Sequence, residues 1–356
     1  MKDMNNKVRA IAFYLPQFYP TPENDEWWEP GFTEWTNVAR SKPLFRGHYQ
    51  PRIPRDLGFY DLRVPEVREQ QAQLAREAGI EGFCYWHYWF AGRRLLDKVF
   101  REVVESGKPD FPFCLCWANH SWYQKTWDPT RPDRLLIEQT YPGEQDYIDH
   151  FYALLPAFKD KRYMKVDGKL VFGIFNAGSI PSFNLMKRIW NELAQQNGLD
   201  GFWFFGLIQK ADRVEDTVNK GYDALVYENM SDIYDNRWSE WLVRMKHIYH
   251  QASYLPYHEY VSRSISFYNN NPNYIPCLMP NFDHSPRSSY RGRIMTDNSP
   301  KEWGRLLREV SNIQIQRGLP LVFIKAWNEW GEGNYLEPDC KFGKQYLEMT
   351  RKVLVE

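Results

Sequence analysis

The sequence predicts an α/β fold, specifically a (β/α)8 TIM barrel with long βα-loop insertions. Eight short runs of mostly apolar residues recur along the 356-residue chain, and segments with helical periodicity lie between them. The strands are apolar on both faces, which is typical of a parallel sheet covered by helices. Eight strand–helix alternations therefore favour a closed barrel.

The predicted strands are short and separated by tens of residues, as parallel strands with helical crossovers require. They cover residues 8–15, 82–88, 113–118, 170–176, 202–208, 224–228, 275–280 and 321–327.

The predicted helices occupy the gaps, and several end at a glycine before the next strand, as in "REAGIEGF" and "QRGLPLVF". They cover residues 65–78, 95–105, 144–158, 183–196, 213–220, 238–252, 300–316 and 344–354. A doubly wound open sheet is the alternative, but no G-x-G-x-x-G follows the first strand.

Two stretches are longer than a βα loop needs, at residues 16–64 and 229–274. Insertions of this kind lie over the carboxyl end of a barrel, where active sites are built. Because no interdomain linker stands out, we expect one catalytic domain over residues 1–356.

Charge and hydropathy exclude some partners. With 45 basic and 45 acidic residues the net charge is zero, which gives no electrostatic footprint for nucleic acid or an anionic membrane. No run approaches the roughly 20 apolar residues of a membrane span. No protein partner is evident. The N-terminus lacks a signal-peptide pattern, so we expect a cytoplasmic protein, or a periplasmic or surface protein if a signal peptide was removed.

Aromatic residues make up 17% of the chain, a hydrogen-bonding group follows every predicted strand, and aromatic residues follow several of them. A barrel opening lined by such groups suits a polyhydroxylated ligand, namely an oligosaccharide or polysaccharide. For each residue a structural role is the competing interpretation. The candidate substrate-binding residues are Tyr14, Glu34, Trp35, His48, Trp86, His87, Trp117, Asn119, His120, Glu228, Asp283, Asn328, Trp330 and Glu337.

The stretch "WNEWGEGNYLEP" after the eighth strand carries the candidate catalytic residues, Glu329 and Glu332. Their spacing of three places both side chains on one side of a turn, where they could flank one glycosidic bond as acid and as base or nucleophile. Solvated loop charges are the alternative. Asp283 with His284 lacks a denser ligand cluster, so we expect no metal and no cofactor.

This stretch closely resembles the signature of the WbsX family, bacterial proteins usually labelled glycosyltransferases of surface-polysaccharide gene clusters and related to glycoside hydrolase family 99. "FYLPQFYP", "WWEPGFTEWTNV", "PLFRGHYQPRIPRDLGFYDLR", "GFCYWHYWF" and "CWANHSW" resemble the same pattern. The resemblance implies a barrel that cleaves α-mannosidic links with retention. Glu329 would deprotonate the sugar 2-hydroxyl and Glu332 would be the general acid and later the base. Gly331 stands where family 99 typically carries a histidine.

Three functions follow. The leading one is retaining, hydrolase-like cleavage of a mannan-like or bacterial surface polysaccharide. The second is a glycosyltransferase or transglycosidase of lipopolysaccharide, O-antigen or capsule biosynthesis. The third is a non-catalytic carbohydrate-binding barrel.

Overall fold

The computed structural model describes residues 7–125, 132–235 and 240–356, and its central element is a barrel of eight parallel strands. The strands are β1 (Arg9–Tyr14), β2 (Gly82–Phe90), β3 (Phe113–Trp117), β4 (Lys169–Ile174), β5 (Phe202–Ile208), β6 (Ala224–Tyr227), β7 (Tyr274–Leu278) and β8 (Leu321–Ile324). They pair in chain order. β1 also pairs with β8, from Arg9 opposite Leu321, which closes the ring. The predicted fold class is confirmed.

The helices that follow these strands form the outer layer. They are α1 (Pro65–Glu77), α2 (Lys98–Ser106), α3 (Glu144–Phe158), α4 (Phe183–Gln196), α5 (Val214–Val218), α6 (Tyr257–Asn270), α7 (Pro300–Gln316) and α8 (Gln345–Leu354). α1 and α7 begin with a proline in the first turn, where its missing N–H has no intrahelical partner to lose.

The structure differs from the sequence-based prediction around β6. In place of one helix over residues 238–252, it has Met230–Asp235 and Glu240–Ile248, with residues 236–239 outside the described chain. The barrel helix α6 was not predicted. Its buried residues, including Tyr257, Val261 and Tyr268, keep helical spacing. The segment is rich in Tyr, Ser and Asn, whose helix propensity is low, so tertiary packing decides its structure.

The first insertion contains two short helices, Pro22–Trp27 and Glu34–Arg40. Thr33 caps the second helix in a capping box with Thr36, which sets Glu34 at its first position. The loop after β3 forms a hairpin of Trp122–Gln124 with Arg134–Ile137, and its residues 126–131 lie outside the described chain.

The described residues bury one extended hydrophobic cluster that includes residues from Val8 to Leu354. The single-domain organisation stays a prediction. Across residues 7–125, 132–235 and 240–356, none of the helices has the length and apolar character that crossing a membrane requires. The compartment stays a prediction as well.

Candidate active site

A cleft opens at the carboxyl end of the barrel, with a cavity of about 670 Å³. Both glutamates of the predicted pair lie in it. Polar groups on its wall come from the first insertion and from the loops after β3, β7 and β8, and aromatic rings form the remaining wall. The lining includes Gln17, Trp28, Glu34, Asn37, Trp86, Tyr88, His120, Ser121, Trp122, His284, Arg287, Lys325, Glu329 and Glu332.

A tight turn after β8 places the two glutamates side by side. Asn328–Glu329 pairs antiparallel with Asn334–Tyr335, and a 3-10 turn over Trp330–Glu332 connects them. Gly333 closes the turn with a φ of 54°, a left-handed conformation that glycine adopts at little cost. The backbone N–H of Asp283 donates to the carbonyl of Glu332 over 2.6 Å, which ties the turn to the loop after β7.

Glu329 lies on the floor of the cleft and is almost fully buried. The indole Nε1 of Trp86, on β2, donates to its Oε1 over 2.8 Å. The ring of Trp86 stacks on Phe13 of β1 with centroids 4.5 Å apart, so the donor is held in place by the barrel interior.

Glu332 carries the ion pairs of the site. Arg287 Nη1 donates to Glu332 Oε1 over 2.6 Å, and Lys325 Nζ lies 3.8 Å from the other carboxyl oxygen. Lys325 is a buried cation at the end of β8. Two positive charges therefore face one carboxyl group.

These surroundings give the two carboxyl groups opposite proton affinities. Burial raises the pKa of Glu329 to about 8, and the charge on Glu332 adds to the rise while Lys325 opposes it. Burial acts in the same direction on Glu332, but Lys325 and Arg287 outweigh it and hold its pKa well below the ordinary value. Burial thus favours the protonated form of Glu329, while the two cations favour the ionised form of Glu332.

Arg287 also forms an ion pair with Glu34, the first residue of the helix that Thr33 caps. Nε and Nη2 of Arg287 lie 3.1 and 2.9 Å from Glu34 Oε2, and Gln17 Nε2 donates to Glu34 Oε1 over 2.8 Å. A Cβ atom on Gly331 would lie 2.0 Å from Glu34 Oε2 and 3.0 Å from Arg287 Nε. The Glu34–Arg287 ion pair thus occupies the space into which any side chain at position 331 would project.

Of the predicted binding residues, Glu34, Trp86 and His120 line the cleft. His120 is partly buried, and burial lowers its pKa, so it is neutral near pH 7. Its Nδ1 has no hydrogen-bond partner within the part of the chain that the structure describes.

Three predicted residues at strand ends face away from the cleft, toward the helices. Tyr14 donates to Gln71 of α1 over 2.7 Å, His87 Nε2 lies 2.8 Å from His150 Nε2 of α3, and Trp117 packs against His150. Side chains alternate along a strand, so Trp86 and Tyr88 face the cleft while His87 between them does not.

Other predicted residues make structural contacts instead of lining the cleft. Glu337 accepts hydrogen bonds from Tyr60, Gln71 and Trp330 over 2.6 to 2.9 Å, which occupies both of its oxygens. Asn119 bonds the backbone of Asn176 beyond β4, Asn328 bonds both backbone groups of Leu15, and Trp35 donates to the carbonyl of Tyr60.

Glu228, His48 and Asp283 also lie outside the cleft lining. The Glu228 carboxylate accepts from the backbone N–H of Met230, and its burial raises its pKa. His48 Nε2 and Gln50 Nε2 both contact Asp283 Oδ2, at 2.8 and 2.7 Å, which ties the first insertion to the loop after β7.

Sequence reasoning gave no role to Arg287 or Lys325, the two cations that lie within 3.8 Å of Glu332. Lys325 had a detectable signal, because it is the one charged residue in the apolar run "LVFIKAW". Arg287 had none, since it contacts Glu34 across 253 positions of sequence. Within the described residues, no three His, Cys, Asp or Glu side chains come together as a group that could hold a metal ion.

The chain is similar to proteins of known sequence along nearly its whole length. It is 34% identical over 360 residues to "Uncharacterized protein WxcX" of Xanthomonas campestris pv. campestris, covering 97% of this chain and 49% of that protein. The WxcX protein of strain B100 is 35% identical over 369 residues, with the same coverage. The chain thus spans about half the length of these curated relatives.

Solved structures share the fold. A "Glycoside hydrolase-like protein" superposes with a TM-score of 0.61 at 16% identity, over 99% of this chain and 96% of the other. The GH99 endo-alpha-mannosidase of Bacteroides thetaiotaomicron has a TM-score of 0.56 at 15% identity, over 97% and 96%. A family model described as "Glycosyltransferase WbsX" matches residues 10–350. The suspected relationship is confirmed, and the chain belongs to the WbsX family.

Proposed function

We propose that this chain is a carbohydrate-active enzyme that cleaves glycosidic bonds of a polysaccharide with retention, using Glu329 and Glu332. The observation that carries the proposal is the pair of glutamates, Glu329 and Glu332, that lines one open cleft beside the two cations Arg287 and Lys325. Cleavage needs one protonated and one ionised carboxyl group on the same bond, and the opposite directions of the two pKa shifts favour that combination.

The placement of the pair in one turn favours retention. Inverting enzymes separate their carboxyl groups by roughly 6.5–9.5 Å to admit a water molecule, and retaining enzymes by roughly 5–5.5 Å. Glu329 and Glu332 are three positions apart at one 3-10 turn and line the same cleft, which supports the shorter separation.

The walls of the cleft suit a sugar chain. Trp28 and Trp122 offer apolar faces, while Gln17, Asn37 and Ser121 offer hydrogen-bonding groups along the same cavity. The substrate class we propose is a mannan-like or bacterial surface polysaccharide.

The family description favours a second candidate, a glycosyl transfer reaction. A transglycosidase would use the same pair and pass the glycosyl group to a sugar hydroxyl in place of water. A transferase that uses a nucleotide sugar would commonly have an open Rossmann-type sheet, whereas this chain has a closed barrel. We therefore rank transglycosylation above nucleotide-sugar transfer.

Product analysis separates these functions. The wild-type chain is incubated with α-mannans and bacterial surface polysaccharides without nucleotide sugar, and the first anomer released is identified by proton NMR. The proposal predicts new reducing ends with retained configuration, and none with the Glu329→Gln/Glu332→Gln double variant. Release of the inverted anomer would contradict retention. Sugar transfer that appears only after a nucleotide-sugar donor is added would contradict the glycosidase chemistry.

A further inference from the structure

A second cavity, of about 290 Å³, lies beside the turn that carries the two glutamates. Its wall comes from three parts of the chain, namely the first insertion, the segment after β7, and the segment that leads from the turn into α8. Among the described residues, none lines both this cavity and the cleft. Arg46, Asp297 and Lys341 line it and are exposed, so the cavity opens to solvent.

Three side chains that line this second cavity carry a polar atom without a hydrogen-bond partner within the described residues. These atoms are Arg52 Nε, Asn298 Oδ1 and the hydroxyl oxygen of Tyr346. Arg52 and Tyr346 are only 4% and 5% exposed. An unpaired polar group destabilises a folded protein when it is buried. Three such groups around one cavity therefore indicate a site where a ligand supplies the missing partners.

The protein itself fixes the guanidinium of Arg52 and leaves its Nε for a ligand. Nη1 donates to Asn281 Oδ1 over 2.8 Å and to the carbonyl of Gly333 over 2.7 Å, and Nη2 lies 3.6 Å from Asp283 Oδ2. Gly333 closes the turn that carries the two glutamates. Arg52 therefore connects the wall of the second cavity to that turn.

The unpaired groups of the second cavity match the hydroxyl groups of a sugar. Arg52 Nε can only donate a hydrogen bond, and Asn298 Oδ1 can only accept one, while the hydroxyl of Tyr346 can do both. A phosphate or carboxylate would pair with the first and third of these groups, but it offers no donor to Asn298. Sugar hydroxyl groups donate and accept, so adjacent hydroxyl groups on one ring can pair with all three.

The charges of the second cavity also favour a neutral ligand. Arg46, Arg52 and Lys341 line it, and so do the carboxylates of Asp297 and Asp339. Because both signs are present, an anion would meet repulsion as well as attraction. A neutral ligand with several hydroxyl groups meets neither penalty.

Aromatic rings give the second cavity apolar faces next to its polar groups. Phe45 stacks on His48 with ring centroids 4.6 Å apart and lies 5.2 Å from the ring of Tyr254, which is 39% exposed. Phe342 packs edge-on against Tyr346 with centroids 5.4 Å apart. Apolar faces with a few convergent polar groups are typical of small-ligand pockets. The small volume suits a single sugar unit and excludes a long chain segment.

We propose that this cavity is a second sugar-binding site, which holds one neutral sugar unit of a polysaccharide outside the cleft. The hydroxyl groups of the bound unit pair with Arg52, Asn298 and Tyr346. The inference rests on the proposed function for the identity of the polysaccharide, and it adds a site that binds sugar without cleaving it. A polysaccharide that occupies both sites is held more tightly than a short oligosaccharide, because the second contact is intramolecular.

A titration followed at Met295 tests the site without any turnover. Met295 lines the second cavity, and no methionine is among the described residues that line the cleft. Protein labelled with ¹³C at its methionine methyl groups is titrated by NMR with mannose, glucose, galactose, rhamnose, N-acetylglucosamine and inorganic phosphate. Met295→Leu assigns the signal. We expect a saturable shift of the Met295 signal with at least one of the sugars and no shift with phosphate.

Tyr346→Phe is the decisive variant for this titration, because it removes a hydroxyl group that has no partner within the described residues. We expect it to weaken sugar binding at Met295 roughly 5-fold while the melting temperature does not fall. Trp28→Ala, in the cleft, is the control and should leave the Met295 titration unchanged. The inference is overturned by a shift with phosphate alone, by no shift with any probe, or by equal effects of the two variants.

Kinetics on long and short substrates test the role of the second site in the proposed reaction. Tyr254→Ala removes an exposed ring of the cavity, and Tyr152→Ala on α3, where Tyr152 is 47% exposed and outside the lining, is the matched control. We expect Tyr254→Ala to raise the Michaelis constant for the polysaccharide roughly 5-fold, and that for an oligosaccharide too short to span both sites much less.

An equal rise for the long and the short substrate, or an equal rise with Tyr152→Ala, would contradict attachment at two sites. A wild type that cleaves neither substrate would count against the proposed function. The Met295 titration would still decide whether the second cavity binds sugar.

Discussion

The indole Nε1 of Trp86 donates a hydrogen bond to Glu329 Oε1 over 2.8 Å, so a side chain from a barrel strand directly contacts a proposed catalytic glutamate. Trp86 lies on β2 and Glu329 beyond β8, which are both neighbours of β1. The donor is therefore set by strand pairing, with the ring held against Phe13. A side chain placed in this way needs little reorganisation when charge develops on the carboxyl group.

Replacing Trp86 with Phe removes this donor and keeps an aromatic ring against Phe13. We expect kcat to fall by roughly 10-fold, because a hydrogen bond to a proposed catalytic carboxyl group is lost. The pKa of Glu329 should rise further, since the donor favours the carboxylate. Steady-state kinetics over a pH range, together with a thermal unfolding curve, measure both effects. An unchanged kcat at an unchanged melting temperature would show that the contact has no catalytic role.

The proton on Glu329 makes stability depend on pH. The pKa of this carboxyl is about 8 when folded against an ordinary value of 4.5. Between these values the folded chain binds more protons than the unfolded chain, so stability falls as pH rises and levels off above about pH 8. Glu337, whose pKa burial raises to about 7, acts with the same sign.

Glu329→Gln isolates the contribution of Glu329, because Glu337 is present in both proteins. The wild type loses free energy of unfolding as Glu329 deprotonates, and the variant lacks this loss. The free energy of unfolding of the variant minus that of the wild type should therefore increase by about 2 kcal/mol from pH 5 to pH 8. Denaturant melts at several pH values provide the measurement. Wild-type and variant curves that run parallel would mean that Glu329 titrates normally.

Glu337 was predicted to bind substrate. In the structure its carboxylate accepts hydrogen bonds from three protein side chains. Glu337→Ala leaves the buried groups of Tyr60, Gln71 and Trp330 without this acceptor, so we expect a loss of about 3 kcal/mol of stability. Glu337→Gln keeps the shape and should lose less. The Michaelis constant of the folded enzyme should change little in either variant. A large rise in that constant with normal stability would favour direct contact with sugar.

Aromatic side chains at the rim of the cleft should bind sugar rings. Trp28 lines the cleft and is 44% exposed, whereas Trp241 is 66% exposed and is not among the lining residues. We expect Trp28→Ala to raise the Michaelis constant roughly 5-fold with little change in kcat. Trp241→Ala is the matched control and should leave kinetics unchanged. Equal effects of the two variants would argue against stacking at the rim.

Local patterns were enough to predict the barrel, because each strand is a short apolar run and most helices show clear periodicity. The helix α6 was missed because its buried face is made of Tyr, Val and Ser instead of strong helix formers. The two faces of β2 could not be told apart from the sequence either. In "GFCYWHYWF" every residue is buried, so hydropathy did not reveal that Trp86 faces the cleft and His87 the helices.

The glutamate pair could be predicted because both members lie in one short stretch of sequence. The ion pairs beside it could not, since Arg287 meets Glu332 and Glu34 only after folding. Similarly, the absence of a side chain at Gly331 had no visible reason in the sequence. The structure supplies a reason, because a Cβ atom at position 331 would collide with the carboxylate of Glu34.

The most direct test of the central claim compares turnover and binding for the wild type, Glu329→Gln and Glu332→Gln on one cleaved polysaccharide. Reducing ends measure turnover, and calorimetry with an oligosaccharide product measures binding. The account predicts at least ~100-fold loss of turnover in each variant with dissociation constants close to that of the wild type. Wild-type turnover in either variant would contradict a catalytic glutamate pair.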